Sequence, residues 1–551
     1  MPHRPPKARV GPPSLKFYVV RAGPQHQQPG APPHPNSGTD DMATPPPPEN
    51  EAEQSQTGPA MTDNASAFTK LGCAKDIRTF VEVLEQEDEL RRVSAPVDWR
   101  YEAGALGRWA MERGAPAPLF ENVIGYEGQK ILAGALGPSH PHLHARIALA
   151  LGLPKDTPPL SLIEIVRERI RHPIAAEHVA RAVAACKEIV VTQADVDLEA
   201  YAIPWIKEID GGRYVGTQNI VVTRDRASDW VNWGTYRSQL QGKRELTILL
   251  FPAAQHGGEM LQEYKKTMPV ALVIGADPIS NLVAGGALPY GVSESDVAGG
   301  LRGEALQLVK CETNDLYVPA NAEMVIEAEI DTNSLVSDGP FGEYTGHVTE
   351  PYRAPLARVT AVTHRRNPIH TMANMGRPHD EATTIVYLMM SACARNRLED
   401  NGIHVKSVYH HGPGNPAVAY TPKPGLRRQI ISTLCSGHRL IGSGIIFVEE
   451  DVDVTDPADI WWAINTRMNA DTLSAVQDLG ANPLYPWLTP VQRDRHEAPI
   501  WVLDATFPFD WDADYRKAQT GVSDFSNGFS SGTKERILSR LAEYGYEDFE
   551  A

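Results

Sequence analysis

Between roughly residues 186 and 375 the chain consists of short β-rich runs broken by glycine and aspartate turns, and this texture narrows the possible folds more than any other feature. The runs lie at 188–192, 219–223, 246–251, 270–274 and 322–330. In the last, Met324, Ile326, Ala328 and Ile330 alternate with Glu323, Val325, Glu327 and Glu329, the two-residue period of a strand with one buried and one solvated face. A β-rich barrel or sandwich is expected here.

The flanks read differently. From Asp76, the apolar residues Ile77, Phe80, Val81 and Leu84 fall at i, i+3, i+4 and i+7, the stripe of an amphipathic helix docked on a core. Mixed helix and strand segments follow to about residue 185. From Glu381 a helical pattern through Ile385, Leu388, Met389 and Ala392 leads into later strands, notably 445–448, and an amphipathic segment around Ile537, Leu538 and Leu541 comes last. Residues 1–60 hold 15 of the 45 prolines with much Gln, Gly, Ser and Asn, a composition that cannot bury enough apolar surface to fold. The expected plan is a disordered Pro-rich tail (1–60), an α/β N-terminal domain (61–185), a β-rich central domain (186–375) and an α/β C-terminal domain (376–551). Met61 opens the first segment that reads as a domain start. Several domains suit 551 residues, since single cores stop growing near ~250–300 residues.

Charge and composition remove whole classes of function. A net charge of -17 disfavours phosphate backbones, whose binding requires clustered Lys and Arg, so nucleic acid is not an expected partner. No apolar run approaches the ~18–20 residues that span a bilayer, and no charged-then-apolar signal opens the chain, so a cytoplasmic protein without membrane contact is expected. The five cysteines (Cys73, Cys186, Cys311, Cys393, Cys435) are scattered and lack CxxC spacing, which fits reduced, buried thiols.

Four segments carry side chains suited to chemistry. In Trp230-Val-Asn-Trp-Gly-Thr-Tyr-Arg237, a strand would set Asn232, Gly234 and Tyr236 on one face and Trp233, Thr235 and Arg237 on the other, although, taken alone, a Trp-rich core strand with a surface Arg is the commoner reading. Gln255-His256 falls where an apolar strand gives way to a helix-like segment, a place from which an imidazole projects into a site or is merely held structurally. In Leu288-Pro-Tyr-Gly-Val-Ser-Glu294, Ser293 and Asp296 resemble a capping box that would place Glu294 in a first helical turn, where an acid also complements the helix dipole. In Ser337-Asp-Gly-Pro-Phe-Gly-Glu-Tyr344, Asp338 and Glu343 flank a bend. They are either an acid pair with separated pKa values or part of an ordinary Asp-Gly turn. Taken together, Asn232, His256 and Glu294 offer an amide oxygen, an imidazole nitrogen and a carboxylate, a donor set suited to Mn2+ or Mg2+ more than to structural Zn2+.

In this order the segments resemble the UbiD family of reversible decarboxylases. The resemblance runs from about residue 76 onward and is carried by Asp210-Gly-Gly-Arg-Tyr214, Asn232-Trp233 with Arg237, Gln255-His256, Pro289-Tyr-Gly-Val-Ser-Glu294, Asn314-Asp-Leu-Tyr-Val-Pro319, Gly339-Pro-Phe-Gly-Glu343, Gly376-Arg377 with Asp380-Glu381, and Trp462-Ala-Ile-Asn-Thr-Arg467. It implies a central flavin-reductase-like split β-barrel flanked by α/β N-terminal and C-terminal parts, the latter making a homodimer or homohexamer. It further implies prenylated FMN supplied by a flavin prenyltransferase, a divalent metal (Mn2+ or Mg2+) on Asn232, His256 and Glu294, and K+ nearby. Trp233, Thr235, Arg237, Gln255 and Ala287 join the metal ligands around the cofactor, with the Ala284-Gly-Gly-Ala287 stretch letting backbone amides approach its phosphate. The implied reaction is the non-oxidative loss of CO2 from an aromatic, heteroaromatic or α,β-unsaturated carboxylic acid through a covalent adduct with the cofactor, with Arg237, Asp338 and Glu343 as catalytic residues. A split-barrel flavin oxidoreductase is the alternative. Two departures stand out: the first acid is Asp338 where ferulate enzymes carry Glu, and their phosphate-side Lys has no match in Leu434-Cys-Ser-Gly-His-Arg439. Both tilt the expected substrate toward aromatic and heteroaromatic acids.

Overall fold

Why the central runs become one sheet is seen in their pairing. In the computed structural model, which describes residues 17–19, 72–251, 255–286, 288–412, 414–436 and 440–546, a nine-stranded sheet curls into half a barrel. Its path runs Tyr214–Gly216, Ser238–Gly242, Glu245–Thr247, Tyr352–His364, Met324–Asp338, Thr267–Ile274, Asn219–Arg224 and Val231–Gly234, with Ile189–Thr192 joined to the Tyr352–His364 strand. Neighbours are antiparallel throughout. The concave face buries Val221, Leu246, Met268, Leu272, Ile326, Ile330 and Val359 in a core of its own.

Two expectations change here. The run at 246–251 is a strand only through Thr247. Beyond it Leu249 N donates to Arg237 O (3.1 Å), which pulls the chain out of the ladder toward Arg237. The alternating strand was expected to solvate Glu323 and Glu327, yet both are fully buried. Each carboxylate is satisfied from outside the strand. Arg78 grips Glu323 with Nε to Oε1 and Nη2 to Oε2 (both 2.8 Å), while Ile369 N donates to Oε2 (3.0 Å) and Arg365 stands 3.3 Å away. Glu327 accepts from the backbone of Glu312 and Thr313 (both 2.7 Å) and from Lys187 Nζ (3.2 Å). Fixed donors replace the water each carboxylate gives up.

The N-terminal helix forms where its period predicts, over Ile77–Gln86, with Asp76 and Thr79 closing a reciprocal cap and Ile77, Phe80, Val81 and Leu84 buried. It belongs to a part whose four-stranded sheet runs Leu90–Val93, Ala117–Phe120, Lys130–Ala133 and Ile369–Met372. The last of these strands follows the half-barrel in sequence and pairs in parallel with Lys130–Ala133. The C-terminal part has a six-stranded sheet of Ser407–His411, Asn415–Ala419, Gly444–Val448, Glu497–Ala505, Ser474–Gly480 and, at its edge, Phe17–Val19. Apart from that edge strand, the tail at 1–60 lies outside the described residues, as does Met61.

One apolar core runs from Ile77 and Leu162 through Leu388 and Met389 to Ile445 and Val502, so the two α/β parts share an interior. Helix Glu381–Asp400 is its spine, and Asp380 caps it with a reciprocal Thr383 box. The amphipathic segment near 537 forms helix Ser531–Leu538, none of whose residues is fully buried among the described residues. Cys186, Cys311 and Cys393 are buried and unbridged. Among the described residues no helix is long and apolar enough to cross a membrane.

Arg78→Met leaves the buried Glu323 carboxylate without its bidentate partner. Chemical denaturation is expected to show a loss of about 1–3 kcal/mol, the cost of removing hydrogen-bond donors from a buried carboxylate that keeps Arg365 and the Ile369 amide.

Candidate active site

Arg237 lies just past the strand Val231–Gly234, where the chain turns into Ser238–Gly242. The expected alternation persists through this turn. Asn232 and Tyr236 share a face, with Asn232 Nδ2 3.4 Å from Tyr236 OH, while the Trp233 indole enters the large core on the other side. Gly234 has to be glycine, because a Cβ there would stand 2.3 Å from the Tyr236 ring folded back over it.

Arg237 is buried between two acids. Its Nε donates to Asp338 Oδ1 (2.8 Å), with Nη2 at 2.7 Å from the same oxygen; Nη1 donates to Glu343 Oε1 (2.5 Å) and to Thr349 Oγ1 (3.1 Å). Side-chain exposure is 4% for Arg237, 0% for Asp338 and 4% for Glu343, so water contributes almost nothing to balancing these charges. Burial raises the Glu343 carboxyl above its ordinary value; Arg237 opposes this and Asp338 adds to it. Burial also works against the Arg237 charge, but Asp338 and Glu343 hold its pKa above the usual guanidinium value.

Asp338 ends the strand Met324–Asp338, and Phe341–Gly342 pairs with Val348–Thr349, so the acids sit at the two ends of one tight bend. Several groups pin that bend. Gly339 N donates to Gln239 Oε1 (2.9 Å), Gly342 N to Asp210 Oδ1 (3.0 Å) and Gly211 N to Pro340 O (2.7 Å). Gly339 occupies φ +101°, and a Cβ on Gly211 would meet Gly339 O at 2.0 Å. Thr247 Oγ1 donates to Asp338 Oδ2 (2.5 Å), so Asp338 is held on both oxygens.

Asn232, His256 and Glu294 line one cavity of about 320 Å3 together with Arg237 and Glu343. Asn232 Nδ2 is bonded to Thr223 Oγ1 (3.1 Å), which leaves Oδ1 as the atom that could face a cation. His256 opens helix His256–Leu261, with Tyr290 stacked on it (centroids 5.6 Å) and Trp230 edge-on (5.4 Å). Glu294 opens helix Glu294–Arg302 behind the Ser293 cap and accepts from Trp233 N (3.2 Å). The expected capping box is half made, because the Asp296 carboxylate accepts from Ala176 N instead (2.9 Å). Burial pushes the Glu294 carboxyl up to about 8, so its anionic form at neutral pH calls for a cation beside it. An amide oxygen, an imidazole and a carboxylate fit an oxygen-preferring divalent ion. Among the described residues no three His, Cys, Asp or Glu side chains cluster as a metal site.

Trp233, Thr235 and Gln255 line the same cavity, and Gln255 Oε1 also accepts from Phe251 N (2.8 Å). Gly285 and Gly286 line it as well. Their smallness has a packing reason, since Cβ atoms there would come within 2.8 Å of Ile385 and Met389 on the long helix. Ala287 lies outside the described residues. Two polar atoms of cavity-lining residues, Gln218 Oε1 and Glu381 Oε2, are buried with no hydrogen-bond partner among the described residues, which fits a bound group bearing complementary N–H or O–H functions, as a flavin ring does.

Family signatures of 3-octaprenyl-4-hydroxybenzoate carboxy-lyase match the chain three times: the N-terminal domain at 81–166, the Rift-related domain at 177–378 and the C-terminal domain at 403–494. The chain belongs to the UbiD family. Its UbiD relatives include pyrrole-2-carboxylic acid decarboxylase of Pseudomonas aeruginosa, 30% identical over 500 residues (86% of this chain, 99% of that protein). Ferulic acid decarboxylase 1 of Saccharomyces cerevisiae is 28% identical over 508 residues (87% and 100%). Among solved UbiD structures, the closed form of Sedimentibacter hydroxybenzoicus vanillic acid decarboxylase superposes with a TM-score of 0.76 at 28% identity (85% of this chain, 99% of that one). An evolved dimeric HmfF from Pelotomaculum thermopropionicum in complex with prFMN gives 0.67 at 25% identity (84% and 100%).

Sequence reasoning did not single out Thr247, Gln239 or Thr349, which hold the acid bend and Arg237. Thr247 left a trace as the lone polar residue opening an otherwise apolar run, and Asp210 stood inside a quoted motif without a role. Thr247→Val, equal in shape but without the hydroxyl, leaves Asp338 Oδ2 unsatisfied. A urea titration is expected to register a loss of about 1–3 kcal/mol.

Proposed function

We propose that this chain is a reversible, non-oxidative decarboxylase of an aromatic, heteroaromatic or α,β-unsaturated carboxylic acid, working with prenylated FMN. The observation carrying this reading is the buried Asp338–Arg237–Glu343 chain on the wall of the cavity that also holds Asn232, His256 and Glu294. Arg237 receives the substrate carboxylate, for which a guanidinium fork is well matched. Asp338, held on both oxygens, fixes the direction of that fork. Burial and Asp338 raise the Glu343 carboxyl against the pull of Arg237 and so favour its protonated form; with Oε1 engaged by Arg237, the proton belongs on Oε2. Glu343 delivers it to the carbon that has lost CO2, forming the new C–H bond, and is reprotonated from solvent. The prenylated flavin, when bound, supplies the sink for the electron pair released as the C–CO2 bond breaks.

Asn232, His256 and Glu294 would hold Mn2+ or Mg2+, with K+ close by, and Trp233, Thr235, Gln255 and Ala287 would border the cofactor. The curled sheet corresponds, in this reading, to a flavin-reductase-like split barrel, and a flavin prenyltransferase supplies the cofactor. Assembly as a homodimer or homohexamer through residues 376–551 is supported by exposed Phe509, Phe525, Phe529 and Tyr546 and by helix Ser531–Leu538, which has no fully buried residue. A cytoplasmic setting fits the buried, unbridged thiols.

Coexpression with a flavin prenyltransferase is expected to yield coloured protein that exchanges the substrate carboxyl with labelled CO2. Protein that oxidises NAD(P)H and exchanges nothing would be a different enzyme. Glu343→Gln is expected to retain cofactor and turn over at least ~100-fold more slowly. Because the protonated form of Glu343 is the active one and its pKa is raised, the wild-type rate should fall as pH rises through that raised pKa, and Glu343→Gln should lose this alkaline limb. His256→Ala is expected to purify with little metal or flavin; full metal content by elemental analysis would remove it from the ligand set.

A further inference from the structure

Part of the cavity wall comes from far along the chain. Asn482 and Leu484 line it beside Tyr344, the residue next to Glu343. This loop is tied to the half-barrel by Tyr352 OH, which donates to Pro483 O (3.3 Å), and by Leu484 packed against Leu249, Phe251 and Ala354.

Within this contact the hydrogen-bond polarity is fixed. Leu484 N donates to Asn482 at 3.0 Å, and a backbone N–H can only donate, so the atom receiving it is Oδ1. The amide nitrogen is therefore the atom facing Tyr344, and Nδ2 donates to the phenol oxygen at 2.9 Å. Tyr344 thus spends a lone pair on Asn482, and its own O–H has no acceptor among the described residues. Burial holds the phenol well above its ordinary value, so it remains a donor. The neighbouring lining is apolar, with Ile385, Val386, Met390 and Leu484 suited to the faces and edges of a ring.

We infer that Tyr344, with its polarity set by Asn482, is a specificity-determining donor, and that the acid this site selects carries a hydrogen-bond-accepting oxygen on its ring or ring-conjugated system, as a phenolic acid does. This rests on the decarboxylase reading and narrows its substrate class. A phenolic oxygen accepts from Tyr344 O–H. An unsubstituted ring leaves that donor buried and unpaired, and a pyrrole or indole N–H would set donor against donor.

The test uses protein loaded with ordinary FMN, so that binding is read without turnover, and calorimetry with matched acids: 4-hydroxybenzoate against benzoate, 4-hydroxycinnamate against cinnamate, and pyrrole-2-carboxylate. At least one hydroxylated acid is expected to bind ~10-fold or more tightly than its parent, about the value of one satisfied buried donor. Tyr344→Phe should erase that preference while leaving the affinity for the parent acid within about twofold. Asn482→Asp provides a second variant. Its carboxylate accepts both Leu484 N–H and Tyr344 O–H, which turns the phenol oxygen into an acceptor and should shift preference toward pyrrole-2-carboxylate. Equal affinities within every pair, or a preference that survives in Tyr344→Phe, overturns the inference. Labelled-CO2 exchange by protein loaded with prenylated FMN separates the two levels. Exchange without hydroxyl preference sinks this inference alone, whereas no exchange with any acid sinks the decarboxylase reading and the inference with it.

Discussion

A guanidinium that cannot shed its proton, buried at the end of a sheet, sets the terms for much of what surrounds it. Arg237 is 4% exposed, and an isolated charge there would be prohibitive. Two carboxylates compensate it, yet two ionised acids around one cation would leave a surplus negative charge in the same dry space. The site eases this at Glu343, whose carboxyl is pushed up by burial and by Asp338 against the pull of Arg237. Asp338 is bonded on both oxygens, by Arg237 and Thr247, whereas Glu343 meets Arg237 through Oε1.

Holding such a balance demands rigidity from the backbone. The bend from Asp338 to Glu343 is fastened by side chains of Gln239 and Asp210 and by the Gly211 amide; a Cβ on Gly211 would collide with Gly339 O, and Gly339 itself holds a positive φ that favours glycine. On the far side of the cavity, Gly285 and Gly286 serve the same end by admitting Ile385 and Met389, which brings the long helix and its Glu381 to the cavity wall.

What could be read from the sequence was what depends on neighbours along the chain. The helix Ile77–Gln86 was legible because its cap and its apolar stripe lie within ten residues, and the strand at Met324 because alternation is local. The direction of that strand's polar face was not legible. Glu323 looks solvated until Arg78, 245 residues earlier, is brought against it. Asn232, His256 and Glu294 could be grouped by donor type and motif, but their convergence on one cavity required the folded sheet. Thr247 was hidden because its partner is 91 residues away, and the Tyr344–Asn482 pair because 138 residues separate donor from acceptor.

The strand Ile369–Met372 leaves the half-barrel and completes the sheet of the N-terminal part, while Glu323 of the half-barrel is neutralised by Arg78 of the N-terminal helix. Each part therefore contains a piece the other needs: one lends a strand, the other a counter-ion. Cutting the chain at the apparent boundary near residue 185 would expose a raw sheet edge on one fragment and strand a buried carboxylate in the other. Chimeras within this family that graft only the catalytic half-barrel onto a foreign N-terminal part inherit both defects. The unit to be exchanged intact includes at least the first helix through residue 372, together with helix Glu381–Asp400, which packs in the same core.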